Sequence, residues 1–394
     1  MQAVKRPTDY PTTAPTATPS LRAILRELIL RDGPMAFPDY MATALYEPSH
    51  GYYARETRQV GRGGDFFTSV SVGPLFGELL ARRFLQEWQE SGSPARWRII
   101  ECGAHDGTLA ADILGALVRL DSQAFAALEY AIPEPLPLLQ TAQRVTLAEF
   151  KEKLRFIRDA RELCADPLPG VVFGNELLDA LPFHVVERRA GSWWECRVGL
   201  GPDCDFAWET FPVSADPVLI DALALLGDDF REGYRTEVRT NFRDFLVPLT
   251  RCLTSGLFVW PDYGFARPEY YHPDRATGTL RTFSKHRAAE NPLIDPGGID
   301  ITAHVDFTAV AEAAISLGCQ APVFKSQGAW LTEIGREWLL SQEGNPDAAA
   351  LRQFQTLTHP AHLGSDFHVL EFSWNQAHKI STSANFHRLA LDAE

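Results

Sequence analysis

The chain has 394 residues, 45% of them hydrophobic and 22% charged, with a formal net charge of −14. This is globular composition, long enough for one large domain with insertions or for two domains. The acidic balance excludes nucleic-acid binding by phosphate neutralisation, and no apolar run approaches the ~18 residues of a membrane span. The six cysteines are scattered without a Cys-x-x-Cys, which argues against a disulfide scaffold or a metal site and for a reducing cytoplasm.

Residues 1–20, rich in Pro, Thr and Ala, read as a disordered tail without the apolar core of a secretory signal. Leu21, Ile24, Leu25, Leu28 and Ile29 fall on one helical face. A second short helix is expected from Phe37, with Pro38 in its first turn. An aromatic turn (Tyr46-Glu47-Pro48-Ser49-His50-Gly51-Tyr52-Tyr53) and a glycine-rich loop ending in Thr68-Ser69 follow, leading to a helix over Gly73 to Trp88.

Arg98 to Cys102 reads as a buried strand, Gly103 to Gly107 as a tight turn, and Thr108 onward as a helix with Leu109, Ile113, Leu114 and Leu117 inward. Strand, glycine turn and helix are how an open α/β sheet holds an adenosine-containing cofactor. The acid at the strand end, Glu101, favours a ribose hydroxyl or an electropositive group over a pyrophosphate, which binds bare amides.

Further strands are expected at Leu128 to Pro135, Leu154 to Arg158, Gly170 to Glu176 and Gly256 to Gly264, and a closing strand at Asp366 to Ser373. Their alternation with helical stretches points to a mainly parallel sheet. Between the fourth and fifth strands lie a hairpin (His184 to Arg189, Trp193 to Val198) and two helices (Leu219 to Leu226, Phe242 to Cys252). A further helix covers Val305 to Leu317, with Asp306 or Thr302 near its start. The Glu101 to Gly107 turn, Glu134, the Asn175-Glu176-Asp179 group and Asp262-Tyr263 all stand at strand ends. In a parallel sheet these share one edge, where ligands bind.

These motifs, in this order, resemble the class I S-adenosylmethionine-dependent methyltransferases typified by the mitochondrial complex I assembly-factor arginine methyltransferases and their bacterial relatives. The resemblance spans roughly residues 20 to 375. It rests on the aromatic turn, Gly64-Asp65-Phe66-Phe67-Thr68-Ser69, Phe76-Gly77-Glu78-Leu79, Glu101 to Ile113, Asn175-Glu176-Leu177-Leu178-Asp179-Ala180-Leu181-Pro182, Asp262-Tyr263-Gly264 and Asp300 to Phe307.

The resemblance implies a Rossmann-like seven-stranded α/β sheet with an antiparallel last strand. A helical N-terminal segment (21–95) would close over the cofactor. The catalytic domain would span 96–183 and 253–375, with an inserted α+β recognition region (184–252) and a C-terminal tail (376–394). S-adenosyl-L-methionine would be the cofactor. Glu101, Gly103 and Gly107 would carry its turn, Glu134 its ribose, and Asn175 and Glu176 would lie beside the sulfonium, with Thr68 and Ser69 closing over it. Glu176 would hold a guanidinium acceptor, with Asp179 and His304 as weaker catalytic candidates.

His105 stands where the family turn has its middle glycine, and its ring would project toward the methionine end of the cofactor. A positive φ there costs on the order of 1–3 kcal/mol for a non-glycine residue. A protein arginine is the best concrete acceptor. Alternatives are a small-molecule acceptor, a non-catalytic assembly factor with an altered turn, and, more weakly, a nicotinamide oxidoreductase. A homodimer is compatible with the sequence.

Overall fold

The computed structural model describes residues 20–55, 68–213, 216–227, 229–284, 287–289, 291–344 and 346–377. The expected terminal tails fall almost wholly outside these residues, as do Gly64 to Phe67 of the glycine-rich loop.

Helix α1 (Leu21–Asp32) begins where the Ser20 hydroxyl accepts the Ala23 N–H and ends at Gly33. It buries Leu21, Leu25 and Ile29, the stripe expected of an amphipathic helix. Then come α2 (Phe37–Tyr46) and α3 (Leu75–Glu90). The first strand, β1 (Trp97–Glu101), is buried along its whole length, as a central parallel strand must be. It is followed by α4 (Thr108–Leu120), β2 (Leu128–Pro133), β3 (Leu154–Ile157) and β4 (Leu168–Phe173).

The insertion contributes β5 (His184–Arg189), β6 (Ser192–Leu200), β7 (Phe206–Pro212) and β8 (Arg235–Val238), all antiparallel. Next are α5 (Phe242–Arg251), β9 (Leu253–Phe265), α6 (Phe307–Ser316), β10 (Gln320–Ser326) and β11 (Phe367–Asn375).

The main sheet runs β10-β11-β9-β4-β1-β2-β3, with the two-residue strand Val305–Asp306 added beside β9. From β3 to β9 neighbouring strands are parallel, and β11 is antiparallel to both β9 and β10. This is the expected seven-stranded arrangement. Sequence reading placed α1 to α6, the β5–β6 hairpin, the first five strands of this sheet and the closing strand β11, but not β7, β8, β10, the helices between Gln327 and Thr358, or the small sheet of Arg281–Ser284, Arg287–Ala289 and Asp300–Thr302.

Apolar residues of α3 and α4 pack on one face of the sheet, together with Trp330, Trp338 and Phe354. Those of α5 and α6 pack on the other. Burial of each such large side chain stabilises the fold by about 1.5–3 kcal/mol. Helix α5 was expected in the insertion, yet its Phe242, Leu246 and Leu249 join the core beneath the main sheet. A third core joins α1 and α2 to the inserted sheet, with Phe37, Tyr40 and Met41 against Phe183, Val185 and Val198. The pair Met35–Ala36 adds an edge strand to β6.

Candidate active site

The carboxyl ends of β1, β2 and β4 open onto one cavity of about 540 Å³, within the range that encloses a cofactor-sized ligand. Glu101 closes β1. It is buried and accepts a 2.7 Å hydrogen bond from the Tyr130 hydroxyl. Burial pushes its carboxyl up to about 8 despite that bond.

The chain then turns through two left-handed glycines, Gly103 (φ +72°) and Gly107 (φ +85°), with His105 between them at φ +47°. A Cβ on Gly103 would stand 2.9 Å from Leu177 Cδ1, the movable end of a side chain, so the positive φ more than that contact is what favours glycine here. His105 thus adopts the conformation its glycine-like position demands. Its carbonyl accepts from Gln143 Nε2 (2.9 Å), and its ring lies 3.6 Å from the Asp106 carboxylate on the cavity wall. The cavity is not filled by that ring. Asp106 in turn accepts the Thr108 N–H at the start of α4.

Glu134 stands one residue past β2, where its N–H donates to the Ile157 carbonyl of β3. Its carboxylate accepts from the Leu136 N–H (2.9 Å) and Gln143 Nε2 (3.2 Å), and burial raises its proton affinity. Gln143 therefore bridges the two turns that flank the cavity.

Beyond β4, Glu176 is held at φ +51°, a conformation that costs on the order of 1–3 kcal/mol for a non-glycine residue. Asp262 of β9 explains how it persists. One carboxylate oxygen accepts the N–H groups of Leu177 (3.1 Å), Leu178 (2.8 Å) and Asp179 (3.2 Å), and the other accepts that of Tyr263 (2.8 Å). Asp262 is wholly buried and serves as a clamp rather than as cavity wall.

The turn so fixed aims Asn175, Glu176 and Asp179 into the cavity. Asn175 Nδ2 donates to Glu176 (3.0 Å), and the Ser69 N–H also reaches that carboxyl. Burial and the neighbouring Asp179 push Glu176 up to about 8. Asp179 accepts the Tyr263 hydroxyl on Oδ2, while its buried Oδ1 has no hydrogen-bond partner. Asn175 Oδ1 is likewise unpartnered. Two acceptor atoms without donors, one a carboxylate and one an amide oxygen, beside the Glu176 carboxyl, are a demand for a ligand rich in N–H.

Thr68 reaches the cavity wall, but its side chain caps the short helix Ser69–Val72. The Ser69 hydroxyl points away and donates to Gln327 (3.0 Å), so only its backbone meets the site. Gly107 lies one step behind the wall, against Leu147. His304 also stands off the wall: its ring packs edge-on against Tyr263 (5.5 Å) and Phe265 (5.0 Å). Burial lowers its pKa to about 4, which leaves it uncharged at neutral pH.

Sequence reading grouped Tyr263 with Asp262 at the ligand edge, but missed Tyr46, Tyr53 and Asp300 as cavity residues. Tyr46 and Tyr53 stack at 5.3 Å and 12°, Tyr53 donates to Asp300 (3.2 Å), and Tyr46 donates to the Ala180 carbonyl (2.8 Å). All three lie inside motifs already recognised. The signal was there, but a long-range tyrosine–acid pair has no periodicity to reveal it.

Among the described residues no cluster of His, Cys, Asp and Glu is arranged to hold a metal ion, and no helix is long and apolar enough to cross a membrane.

The comparisons with known proteins bear on the family and its cofactor. Residues 79–325 match the family described as "Putative S-adenosyl-L-methionine-dependent methyltransferase". The mouse mitochondrial protein arginine methyltransferase NDUFAF7 is 30% identical, over 88% of this chain and 83% of its own length. Its Drosophila melanogaster homologue is 29% identical, over 94% and 88%. A Burkholderia thailandensis protein solved with S-adenosyl-homocysteine bound superposes with a TM-score of 0.79 at 34% identity, covering 90% of this chain and 91% of that one.

One expectation is corrected here. The cytoplasmic location inferred from free cysteines does not stand, because these curated relatives are mitochondrial proteins. Scattered cysteines exclude a secreted disulfide scaffold but do not distinguish one reducing compartment from another. The cofactor is S-adenosyl-L-methionine, and the cavity at the ends of β1, β2 and β4 has the room, the glycine turn and the acids to fit it. The chain belongs to this family and is an S-adenosyl-L-methionine-dependent methyltransferase.

Proposed function

We propose that the chain transfers a methyl group to an arginine side chain of a protein. The observation that carries this reading is the unpartnered Asp179 Oδ1 beside the Glu176 carboxyl, in the same cavity as the cofactor turn. A guanidinium is planar, always charged and has five N–H donors, which matches two carboxyls and the Asn175 carbonyl. The arginine methyltransferase names of the curated relatives support the same acceptor.

In this reading Glu134 takes the ribose hydroxyls, and Glu101, Gly103 and His105 form the wall around the methionine end. S-adenosyl-L-methionine supplies an electrophilic methyl on a sulfonium. Glu176 and Asp179 accept N–H bonds from the acceptor and turn one nitrogen lone pair toward that methyl. Alignment in a dry pocket is most of what such a transfer requires. The methylated nitrogen then loses its proton to the Glu176–Asp179 pair. Tyr46 and Tyr53 wall the acceptor end and keep bulk water from it.

The test is incubation with radiolabelled methyl donor and arginine-containing protein, followed by amino-acid analysis. Labelled methylarginine is expected. Label recovered only in a small molecule, or in another residue type, overturns the proposal.

A further inference from the structure

The inserted sheet touches the acidic turn through one buried side chain. Arg239 directly follows β8 and is 8% exposed. Its Nε donates to the Leu181 carbonyl (3.1 Å), Nη1 to the His304 carbonyl (2.6 Å), and Nη2 to the carbonyls of Asp179 (2.6 Å) and Ala303 (2.8 Å). Its guanidinium also lies 4.9 Å over the Phe183 ring. Every one of these partners is neutral, and among the described residues no carboxylate comes within ion-pair distance of it.

A buried cation bonded only to neutral groups keeps its charge uncompensated locally and is costly unless negative charge lies near. Here the nearby acids are Asp179 and Asp262, from the turn after β4 and from β9, with Glu176 beside them protonated at neutral pH; burial raises the proton affinity of all three, so Arg239 faces the charge this group retains rather than three full charges. The groups facing Asp179 are Glu176 on its own turn, Asp262 and Tyr263 from β9, and Arg239 from the insertion, with His304 behind Tyr263. His304 is uncharged at neutral pH, so it supplies no counter-charge.

We propose that Arg239 is the positioning residue of the acceptor site: its fork pins the Asp179–Leu181 turn to the Ala303–His304 segment, and its charge is the fixed counterion of the acidic pocket. This deepens the acceptor reading and rests on it. Burial raises the proton affinity of Asp179, while the Tyr263 hydroxyl and the Arg239 charge oppose that rise. The fork is required as well as the charge. Lysine keeps the charge, but its three donors radiate from one nitrogen and do not span four carbonyls on two segments.

The test uses full-length protein carrying carboxyl-13C aspartate, with Asp179→Asn assigning the resonance. Arg239→Gln is expected to raise the Asp179 midpoint by about one pH unit or more, and to move the acid limb of kcat/KM to higher pH in the same direction. Arg239→Lys is expected to restore the midpoint but leave kcat lowered at least tenfold, with cofactor affinity by calorimetry within threefold of the parent. An unmoved midpoint in folded Arg239→Gln overturns the inference, as does full recovery of kcat in Arg239→Lys. If Arg239→Gln does not fold, Arg239→Lys decides by the same two readouts. The carboxyl titration needs no acceptor. A shifted midpoint alongside failure to methylate arginine therefore refutes the acceptor reading and spares the counterion.

Discussion

Replacing Glu176 with glutamine should slow turnover and yet make the protein more stable, increasingly so as pH rises. The amide keeps the shape, the same φ, and an oxygen to accept from Asn175 and from the Ser69 N–H. It loses the charge. In the folded chain the carboxyl sits at about 8 against an ordinary 4.5, chiefly because of burial. The folded state therefore holds a proton that the unfolded state has released, and stability falls as pH rises through that window. The penalty is absent below the unfolded value and complete above about 8. Taken at face value the shift bounds it at ~5 kcal/mol. The side chain opens onto a cavity rather than packed core, so a stabilisation of about 1–2 kcal/mol is the working figure, typical when a functional site is relieved of strain.

For turnover at pH 8.5, where the Glu176 carboxyl is ionised, exchanging a charged for a neutral acceptor of the guanidinium loses about 1.5–3 kcal/mol, or roughly 10–150-fold in rate. Urea denaturation of both proteins at pH 6 and pH 8.5 reads the first effect. Methyl transfer at saturating cofactor reads the second, and calorimetry checks that cofactor affinity is unchanged. Equal stability at both pH values would refute the electrostatic reasoning. Equal turnover would remove Glu176 from the mechanism.

Gly103→Ala places a methyl at φ +72° and 2.9 Å from Leu177 Cδ1. It should weaken cofactor binding roughly 5–150-fold through about 1–3 kcal/mol of strain, read by titration calorimetry. Wild-type affinity would show that the turn opens freely. His105→Gly frees a strained left-handed residue and should leave cofactor affinity within ~10-fold, since the turn already has its shape. A loss of two orders of magnitude would instead make the imidazole a principal ligand. Asp262→Asn replaces an acceptor of four backbone N–H groups by one with a single oxygen. It should cost about 2–3 kcal/mol in urea unfolding, and a change below half a kcal/mol would mean that the Glu176 turn holds itself.

The parallel half of the sheet was legible because buried β-strands and amphipathic helices carry periodic apolar patterns, and Glu101, Glu134 and Glu176 interrupt those patterns at strand ends. The location of His105 in a left-handed turn was legible from the glycines around it. The acceptor end was not. Tyr53 and Asp300 are far apart in sequence and meet only because the small sheet at Asp300–Thr302 folds against the turn after β4. Arg239 carries no local signature, because its partners are carbonyls, which every residue has. His304 sits in a recognised motif, but its backbone carbonyl, not its ring, is what the site uses. Strand β7 is half-buried along most of its length and β8 has three consecutive buried residues, so neither shows a clear alternation.

The core shared by α1, α2 and the inserted sheet has an evolutionary consequence. Those two stretches of chain are separated in sequence by β1 to β4 and their helices, yet their apolar faces are buried largely against each other. They must be inherited, lost or exchanged together. Grafting both from a relative, along with the residue at position 239, offers a route to redirecting which acceptor is methylated while the donor half stays untouched.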